Sequence, residues 1–349
     1  MTNKKAREII VDILQKVELE DTYSNIALKQ ALDQYKGLII KDKGLITEIV
    51  NGTIKYTRKL DYIIDQFSNI PVAKMMPVIR HTMRMSVYQI FFLDKVPNSA
   101  VCNEAVNVVK KRNMGRLSGF VNGVLRNIIR QSDTIKYPDK AMDPTEYLGV
   151  MYSFPDWIIT LWLQNYSYDF VEELCKSMNE APDLSIRTNS MLISKEDLIK
   201  EFEKENITAI DGKLTSEALI LHGVTSIARL NSFQKGYFTV QDESSMLVSH
   251  VLNPKPGEKV LDACGAPGGK TMHIAELMEG EGTLISADIY PHKLALIEQT
   301  AKRMQYKIVE TILQDATKEN ADYIEKFDKV LIDAPCSGLG IIGKKADIR

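Results

Sequence analysis

Cysteine is scarce in this sequence, and its four copies are scattered. Cys102, Cys175, Cys264 and Cys336 form no C-x-x-C pair and have no histidine nearby at ligand spacing. That excludes a disulfide framework and gives no sign of a zinc site, so no metal is expected. Long apolar runs are missing too. No stretch approaches the roughly 18 to 20 residues that span a bilayer. The N-terminal MTNKKAREIIVDILQKV lacks the apolar core and small-residue cleavage site of a signal peptide. No membrane partner is expected, and cytoplasm is the default compartment. Internal repeats and low-complexity tracts are absent. What remains is 349 residues, 44% apolar and 26% charged. That is an ordinary globular composition, long enough for two or three domains.

Charge is unevenly spread. Residues 1–130 hold 21 Lys and Arg against 12 Asp and Glu, a balance of +9, and the remainder holds 23 against 34, or −11. The two halves therefore suit different partners. The basic half suits a polyanion held through phosphate contacts. On charge alone, a solvated Lys-rich surface is equally open.

The front half reads as helices. Ala6, Ile9, Ile10, Ile13, Leu14 and Val17 recur at the helical period, as do Leu45, Ile46, Ile49, Val50 and Ile54. Val78, Ile79, Met83, Val87 and Ile90 repeat it. Asn98 or Ser99 is placed to cap a further helix, and Phe120, Val121, Val124, Leu125 and Ile128 line a last one. Residues 132–150 are polar, with two prolines and no period, and are expected as a linker. FPDWIITLWLQNYSYDFVEELCKSMN then reads as helical, with Trp157 and Trp162 expected on one face. A small α/β subdomain is expected over 151–235. Over 236–349, strands (KVLDACG, GTLISADI, IVETILQDA, KVLIDAP) alternate with helices, the doubly wound pattern of a parallel sheet. The fold class is thus multidomain: an all-α domain over 1–131, a small α/β subdomain, and a Rossmann-like α/β domain.

The stretch VLDACGAPGGKT, Val260 to Thr271, reads as strand, glycine-rich turn and helix start. Its G-K-T ending suggests a phosphate-binding loop, but the required first glycine falls on Cys264. The dinucleotide pattern G-x-G-x-x-G fails as well, at Pro267 and Lys270. Gly265, Gly268 and Gly269 still permit close approach by a ligand. Asp288, Asp315 and Asp333 stand at the carboxyl ends of the next three strands, where ligands of open α/β sheets bind. A lone strand-end Asp most often caps the next helix. Three of them beside a glycine turn repel a polyphosphate and suit a nucleoside with free hydroxyls and a positive centre, as in S-adenosylmethionine.

DAPCSG places Cys336 on a loop at the same rim. A lone Cys is usually inert and buried. Here its position suits a thiol that adds to C6 of cytosine, making C5 nucleophilic, once the base is extruded from its stack. Asp333, three residues earlier, is placed to hydrogen-bond the cytosine amine or N3.

Together DACGAPGGKT and DAPCSG resemble the RNA cytosine-5 methyltransferase family. GYFTVQDESS is similar to the segment preceding that family's cofactor turn, and LSIRTN to a strand of its small subdomain. NSAVCNEAVNVVKK and GFVNGVLRNI resemble the antitermination factor NusB. The combination is similar to bacterial 16S ribosomal RNA cytosine-5 methyltransferases. The resemblance implies S-adenosylmethionine contacts from Cys264, Gly265, Ala266, Pro267, Gly268, Gly269 and Lys270, and from Asp288, Asp315 and Asp333. It implies 16S ribosomal RNA as partner, a monomeric enzyme, and RNA binding by the helical domain. The densest basic stretch there holds Lys110, Lys111, Arg112, Arg116, Arg126 and Arg130, with no acid between Ala105 and Arg130.

Members of this family resemble one another in carrying two cysteines. The one in the PC loop, here Cys336, is associated with product release. The other, in a Thr-Cys motif after the next strand, attacks C6. No Thr-Cys pair occurs in these 349 residues, which end at KKADIR. In DNA cytosine-5 methyltransferases a PC cysteine is the nucleophile, so Cys336 is also a candidate substitute. A sheet of this type would continue with three more strands, so an unpaired edge, an incomplete sheet and impaired methyl transfer are expected. A non-catalytic RNA-binding protein with a vestigial cofactor domain is the alternative. A small-molecule methyltransferase poorly explains the basic helical domain and DAPCSG.

Overall fold

The computed structural model describes residues 5–35, 37–224 and 226–349. The chain divides into two compact units, Met1–Pro182 with Gly338–Arg349, and Asp183–Ser337.

The first unit is helical. Its elements are α1 (Ala6–Leu19), α2 (Ser24–Gln34), α3 (Ile40–Lys55), α4 (Thr57–Phe67), α5 (Pro77–Phe92), α6 (Asn98–Lys111) and α7 (Ser118–Arg130). Then follow α8 (Pro144–Tyr152), α9 (Asp156–Leu163) and α10 (Tyr168–Asn179). The apolar positions at helical spacing form one core. Ile9, Ile10, Ile46, Ile49, Met83, Val121, Leu125 and Ile128 are all fully buried in it. At about 25 cal/mol per Å² of apolar surface removed from water, such a core is what offsets the entropy of ordering the helices. Gly52 lets α3 approach α5, because a Cβ there would strike the Tyr88 ring. Neither Asn98 nor Ser99 caps α6. Asn98 is already its first residue and Pro97 holds the cap position without a side-chain bond.

The segment 132–150 is not a plain linker. Asp143 Oδ1 accepts from the Glu146 amide at 2.8 Å and Pro144 takes the first helical position, so α8 starts inside it. Nor do the two tryptophans share a face: Trp157 is 59% exposed and Trp162 8%. Five residues turn a helix by about 500°, which leaves the two side chains roughly 140° apart. Trp162 joins Leu148, Phe154, Ile158, Val171 and Cys175 in a second helical core. Arg58 of α4 ties these later helices to the earlier ones, its backbone amide donating to Ser153 Oγ (3.0 Å) and its guanidinium to the Phe154 carbonyl (2.6 Å).

The second unit holds two sheets. The first is antiparallel, made of β1 (Leu184–Thr188), β2 (Thr208–Asp211), β3 (Ala218–His222) and β4 (Phe238–Val240) in the order β2-β3-β1-β4. Ile186 pairs with Leu219 on one side and Val240 on the other. α11 (Lys195–Lys204) covers it, burying Leu198 and Phe202 against Ile186, Leu221 and Phe238. α12 (Asn231–Gln234) and α13 (Glu243–Leu252) lead to the second sheet. Here β5 (Lys259–Asp262), α14 (Gly269–Leu277), β6 (Thr283–Asp288), α15 (Pro291–Met304), β7 (Val309–Leu313) and β8 (Lys329–Leu331) alternate. All strand pairs are parallel, in the order β7-β6-β5-β8. Val260 and Leu284 pack beneath Met272, Ile274, Ile297 and Met304, so the crossover helices fix the strand ends from which the site is built. β8 forms one edge of this sheet, with Val330 half-exposed.

Candidate functional site

The chain leaves β5 for β6 and β7 on one side and returns to β8 on the other. The switch point between β5 and β8 is where parallel sheets open a crevice for ligands. The segments leaving these two strands are the glycine turn and the loop 332–337.

The turn is anchored from beneath. The Gly265 amide donates to the Ala287 carbonyl of β6 at 2.9 Å, and the Gly268 amide to the Gly265 carbonyl at 2.7 Å. Thr271 Oγ1 donates to Asp262 Oδ2 at 2.6 Å and shares a hydrogen bond with Ser286 Oγ at 2.9 Å. A Cβ on Gly265 would strike Ser286 Oγ and lie within 2.8 Å of Thr271 Oγ1. Gly268 adopts φ +106°, a conformation that favours glycine. Pro267 is exposed and follows a cis peptide, while Ala266 packs on the core below. A Cβ on Gly269, by contrast, would meet open space.

Three carboxylates converge on this turn. Burial pushes the Cys264 thiol up, and the charges of Asp262, Asp288 and Asp333 push it further. Asp288, at the end of β6, is buried and accepts from the Tyr290 amide at 3.1 Å, with Lys293 at 3.8 Å. Asp333 is half-exposed and pairs with Lys270 at 2.7 Å, which joins the loop after β8 to the first turn of α14. Cys336 lies three residues on and is exposed. The Asp315 carboxylate is taken up by its own turn. It accepts from the Thr317 amide (3.0 Å) and hydroxyl (2.7 Å), with Lys318 at 3.6 Å, and these bonds hold it below the usual carboxylate range.

Sequence reasoning missed Asp262. It is fully buried, and its Oδ1 has no hydrogen-bond partner among the described residues. Burial pushes its pKa up to about 6 against the pull of the Thr271 hydroxyl and the Cys264 amide, and the Asp333 charge adds to the rise. The available signal was an acid ending the strand that enters the glycine turn.

The basic stretch of the helical unit separates into two groups. Lys111 pairs with Glu8 at 2.6 Å and Arg112 pairs with Asp12, so both are committed to packing α6 against α1. Arg126 and Arg130 are exposed on α7 and, among the described residues, hydrogen-bond only to Asn122 (3.2 Å) and Asn127 (2.9 Å). Lys110 and Arg116 are exposed and make no ion pair among the described residues.

The parallel sheet in the order β7-β6-β5-β8, with a glycine turn ringed by acids, is the Rossmann-like α/β arrangement, and one chain joins it to a helical unit. Comparison with known proteins agrees. Residues 4–130 match the NusB family, 154–228 the ferredoxin-like domain of RsmF/B-like methyltransferases, and 249–349 the 16S rRNA methyltransferase RsmB/F family. A probable ribosomal RNA small subunit methyltransferase B of Bacillus subtilis is 38% identical, covering 100% of this chain and 77% of its own. The corresponding protein of Synechocystis is 34% identical over 99% of this chain and 77% of its own. The solved structure of PH0851 covers 99% of this chain and 78% of its own, at 27% identity and a TM-score of 0.75. The class is therefore that of RNA methyltransferases with a NusB-like domain. The chain belongs to the ribosomal RNA small subunit methyltransferase B family. A non-catalytic RNA-binding protein is not favoured by this membership.

No helix among the described residues is long and apolar enough to cross a membrane.

Proposed function

We propose that this protein methylates C5 of a cytosine in 16S ribosomal RNA, with S-adenosylmethionine as donor and the helices of residues 1–131 holding the RNA. The observation that supports this most is the ring of Asp262, Asp288 and Asp333 around a glycine turn at the switch point of a parallel sheet. The residues fit that donor. Asp262 Oδ1, buried without a hydrogen-bond partner among the described residues, suits a cationic amine, and buried Asp288 suits ribose hydroxyls. The open space over Gly269 admits the ligand to the backbone. Cys264, Ala266, Pro267 and Lys270 complete the cradle, and Asp315, two residues past β7, reaches the donor only by giving up its bonds to Thr317.

When bound, S-adenosylmethionine supplies a methyl group on positively charged sulfur. The chain's own residues serve the base. Asp333, held by Lys270, is assigned to accept from the cytosine amine. Cys336, exposed beside it, is assigned to product release. Extrusion of the base from its stack brings it within reach of both.

Calorimetric titration with S-adenosylhomocysteine is expected to show one site per chain, and titration with ATP none. Any label transferred from donor to 16S RNA is expected in 5-methylcytosine by mass spectrometry of digests. Label in another nucleoside overturns the C5 assignment. Robust transfer that Cys336→Ala abolishes makes Cys336 the thiol that attacks C6.

The RNA surface makes a separate prediction. Arg126→Ala with Arg130→Ala is expected to lower the slope of log affinity against log salt by about 2, one unit per lost phosphate contact. Lys111→Ala removes a charge already paired with Glu8 and is expected to leave the slope unchanged.

A further inference from the structure

Away from the glycine turn, three donor side chains from three separate segments meet. Glu217, just before β3, has its Oε1 2.6 Å from His250 Nε2 in the last turn of α13. The same oxygen is 3.3 Å from His273 Nε2 in α14. The two imidazoles stand edge to face with centroids 5.1 Å apart, so both Nε2 atoms point at one locus. The His273 side chain is 1% exposed, Glu217 13% and His250 39%. The backbone holds this arrangement, since the Thr188 amide of β1 donates to the Glu217 carbonyl at 3.0 Å.

As a hydrogen-bonded triad the cluster leaves one buried ring nitrogen over. Both ring nitrogens fall on Glu217 Oε1, the Ser216 hydroxyl donates to Oε2 at 3.3 Å, and His273 Nδ1 is buried with no hydrogen-bond partner among the described residues. No Lys or Arg pairs with Glu217 among the described residues. The other charges facing His273 are Arg187 and Glu276, and they neutralise each other through a 3.2 Å ion pair. Glu276 is further engaged by the Ser190 amide (3.0 Å) and hydroxyl (2.6 Å) and by the Tyr306 hydroxyl (3.2 Å). The charge of Glu217 is thus left to be balanced at the locus the two imidazoles share.

We propose that Glu217, His250 and His273 bind a divalent transition metal of the Zn2+ class through Oε1 and the two Nε2 atoms. Ligand atoms at about 2.0–2.1 Å from a tetrahedral zinc lie roughly 3.3 Å from one another. The pair of Glu217 and His273 already has that separation, 3.3 Å. The contact to His250, 2.6 Å, must open by under about 1 Å, and its partly exposed place at the end of α13 permits this. His250, 39% exposed, is the solvent side of the cluster. Imidazole and carboxylate donors favour Zn2+, Co2+ or Ni2+ over Mg2+ and Ca2+, which prefer all-oxygen sites. The ion would staple the antiparallel sheet, through Glu217, to α13 and to α14, whose first residue is Gly269 of the glycine turn. Sequence spacing carries no sign of this, because the ligands are contributed by three distant segments.

The test is metal binding by the full chain after treatment with a chelator. Competition titration against a chromophoric chelator is expected to give one Zn2+ per chain with Kd below about 1 µM, and a raised melting temperature. His250→Ala is expected to weaken binding at least about 100-fold while leaving the metal-free melting temperature near wild type, because this side chain is partly exposed. Glu217→Gln is expected to act likewise. The Co2+ form is expected to show tetrahedral d–d absorption without a thiolate charge-transfer band. Absence of competitive Zn2+ binding, equal binding by His250→Ala, or a thiolate band pointing to Cys264 or Cys336 would each overturn the proposal.

Discussion

Gly265→Ala is expected to abolish detectable binding of S-adenosylhomocysteine and to destabilise the second unit by about 3 kcal/mol or more. The added methyl has nowhere to go. It would strike Ser286 Oγ and press on Thr271 Oγ1 at 2.8 Å and Asp262 Oδ2 at 3.0 Å. Those three atoms are buried and joined through Thr271 Oγ1, which bonds to both Asp262 Oδ2 and Ser286 Oγ, so none can retreat without breaking one of these bonds. Overpacking of a filled site costs about 1–3 kcal/mol, and a broken buried hydrogen bond adds about 1–3 kcal/mol. Gly269→Ala is the contrasting variant. Its methyl would meet open space, and alanine improves the start of α14, so the melting temperature is expected to hold or rise slightly. Its donor affinity is nonetheless expected to fall about 10-fold or more, since the methyl occupies the space over the backbone. Thermal melts and titrations of both variants separate the glycine that seats the turn from the one that admits the ligand. A wild-type melting temperature for Gly265→Ala would refute this account of the turn.

The fold class was legible because burial follows period. Ile9, Ile10 and Ile13, or Val121, Leu125 and Ile128, needed only helical spacing to be recognised as core. The alternation of strand and helix after residue 236 likewise dictated a parallel sheet, and with it the rim where Asp288 and Asp333 stand. What the sequence hid is tertiary pairing. Nothing near Lys111 or Arg112 shows that Glu8 and Asp12, about a hundred positions earlier, neutralise them. Asp315 has the same strand-end address as Asp288, yet Thr317 and Lys318 beside it draw its carboxylate into a local turn. Asp262 lies within a strand and reads as an ordinary end residue. Its character comes from Thr271 and Ser286, which only the folded turn brings to it. Trp157 shows the opposite error, a pattern credited with a shared face that five-residue spacing does not give.

Asp262 also makes the protein's stability depend on pH in an unusual direction. Its pKa rises from 3.8 to about 6 on folding, because burial disfavours the charged form. The folded chain therefore holds this proton more tightly than the unfolded one. The stability this proton contributes is fully present below about pH 4 and is lost as pH rises through 6. Two pKa units correspond to about 3 kcal/mol, a penalty the folded protein carries at neutral pH. Asp262→Asn has no proton to lose. The stability of the variant minus that of wild type is therefore expected to increase by about 3 kcal/mol between pH 4 and pH 7. His81 and His273, which burial holds near 4, also titrate over this range. They act equally in both proteins and cancel in the difference. The gain in stability comes with a loss of function. The cationic amine that S-adenosylhomocysteine shares with the donor favours the ionised form of Asp262, so wild-type affinity for S-adenosylhomocysteine is expected to rise through pH 6, with proton release detectable by calorimetry in buffers of different ionisation enthalpy. The variant is expected to bind weakly and without that pH dependence. Parallel stability curves for the two proteins from pH 4 to 7 would show that the carboxyl of Asp262 is not held protonated by its burial.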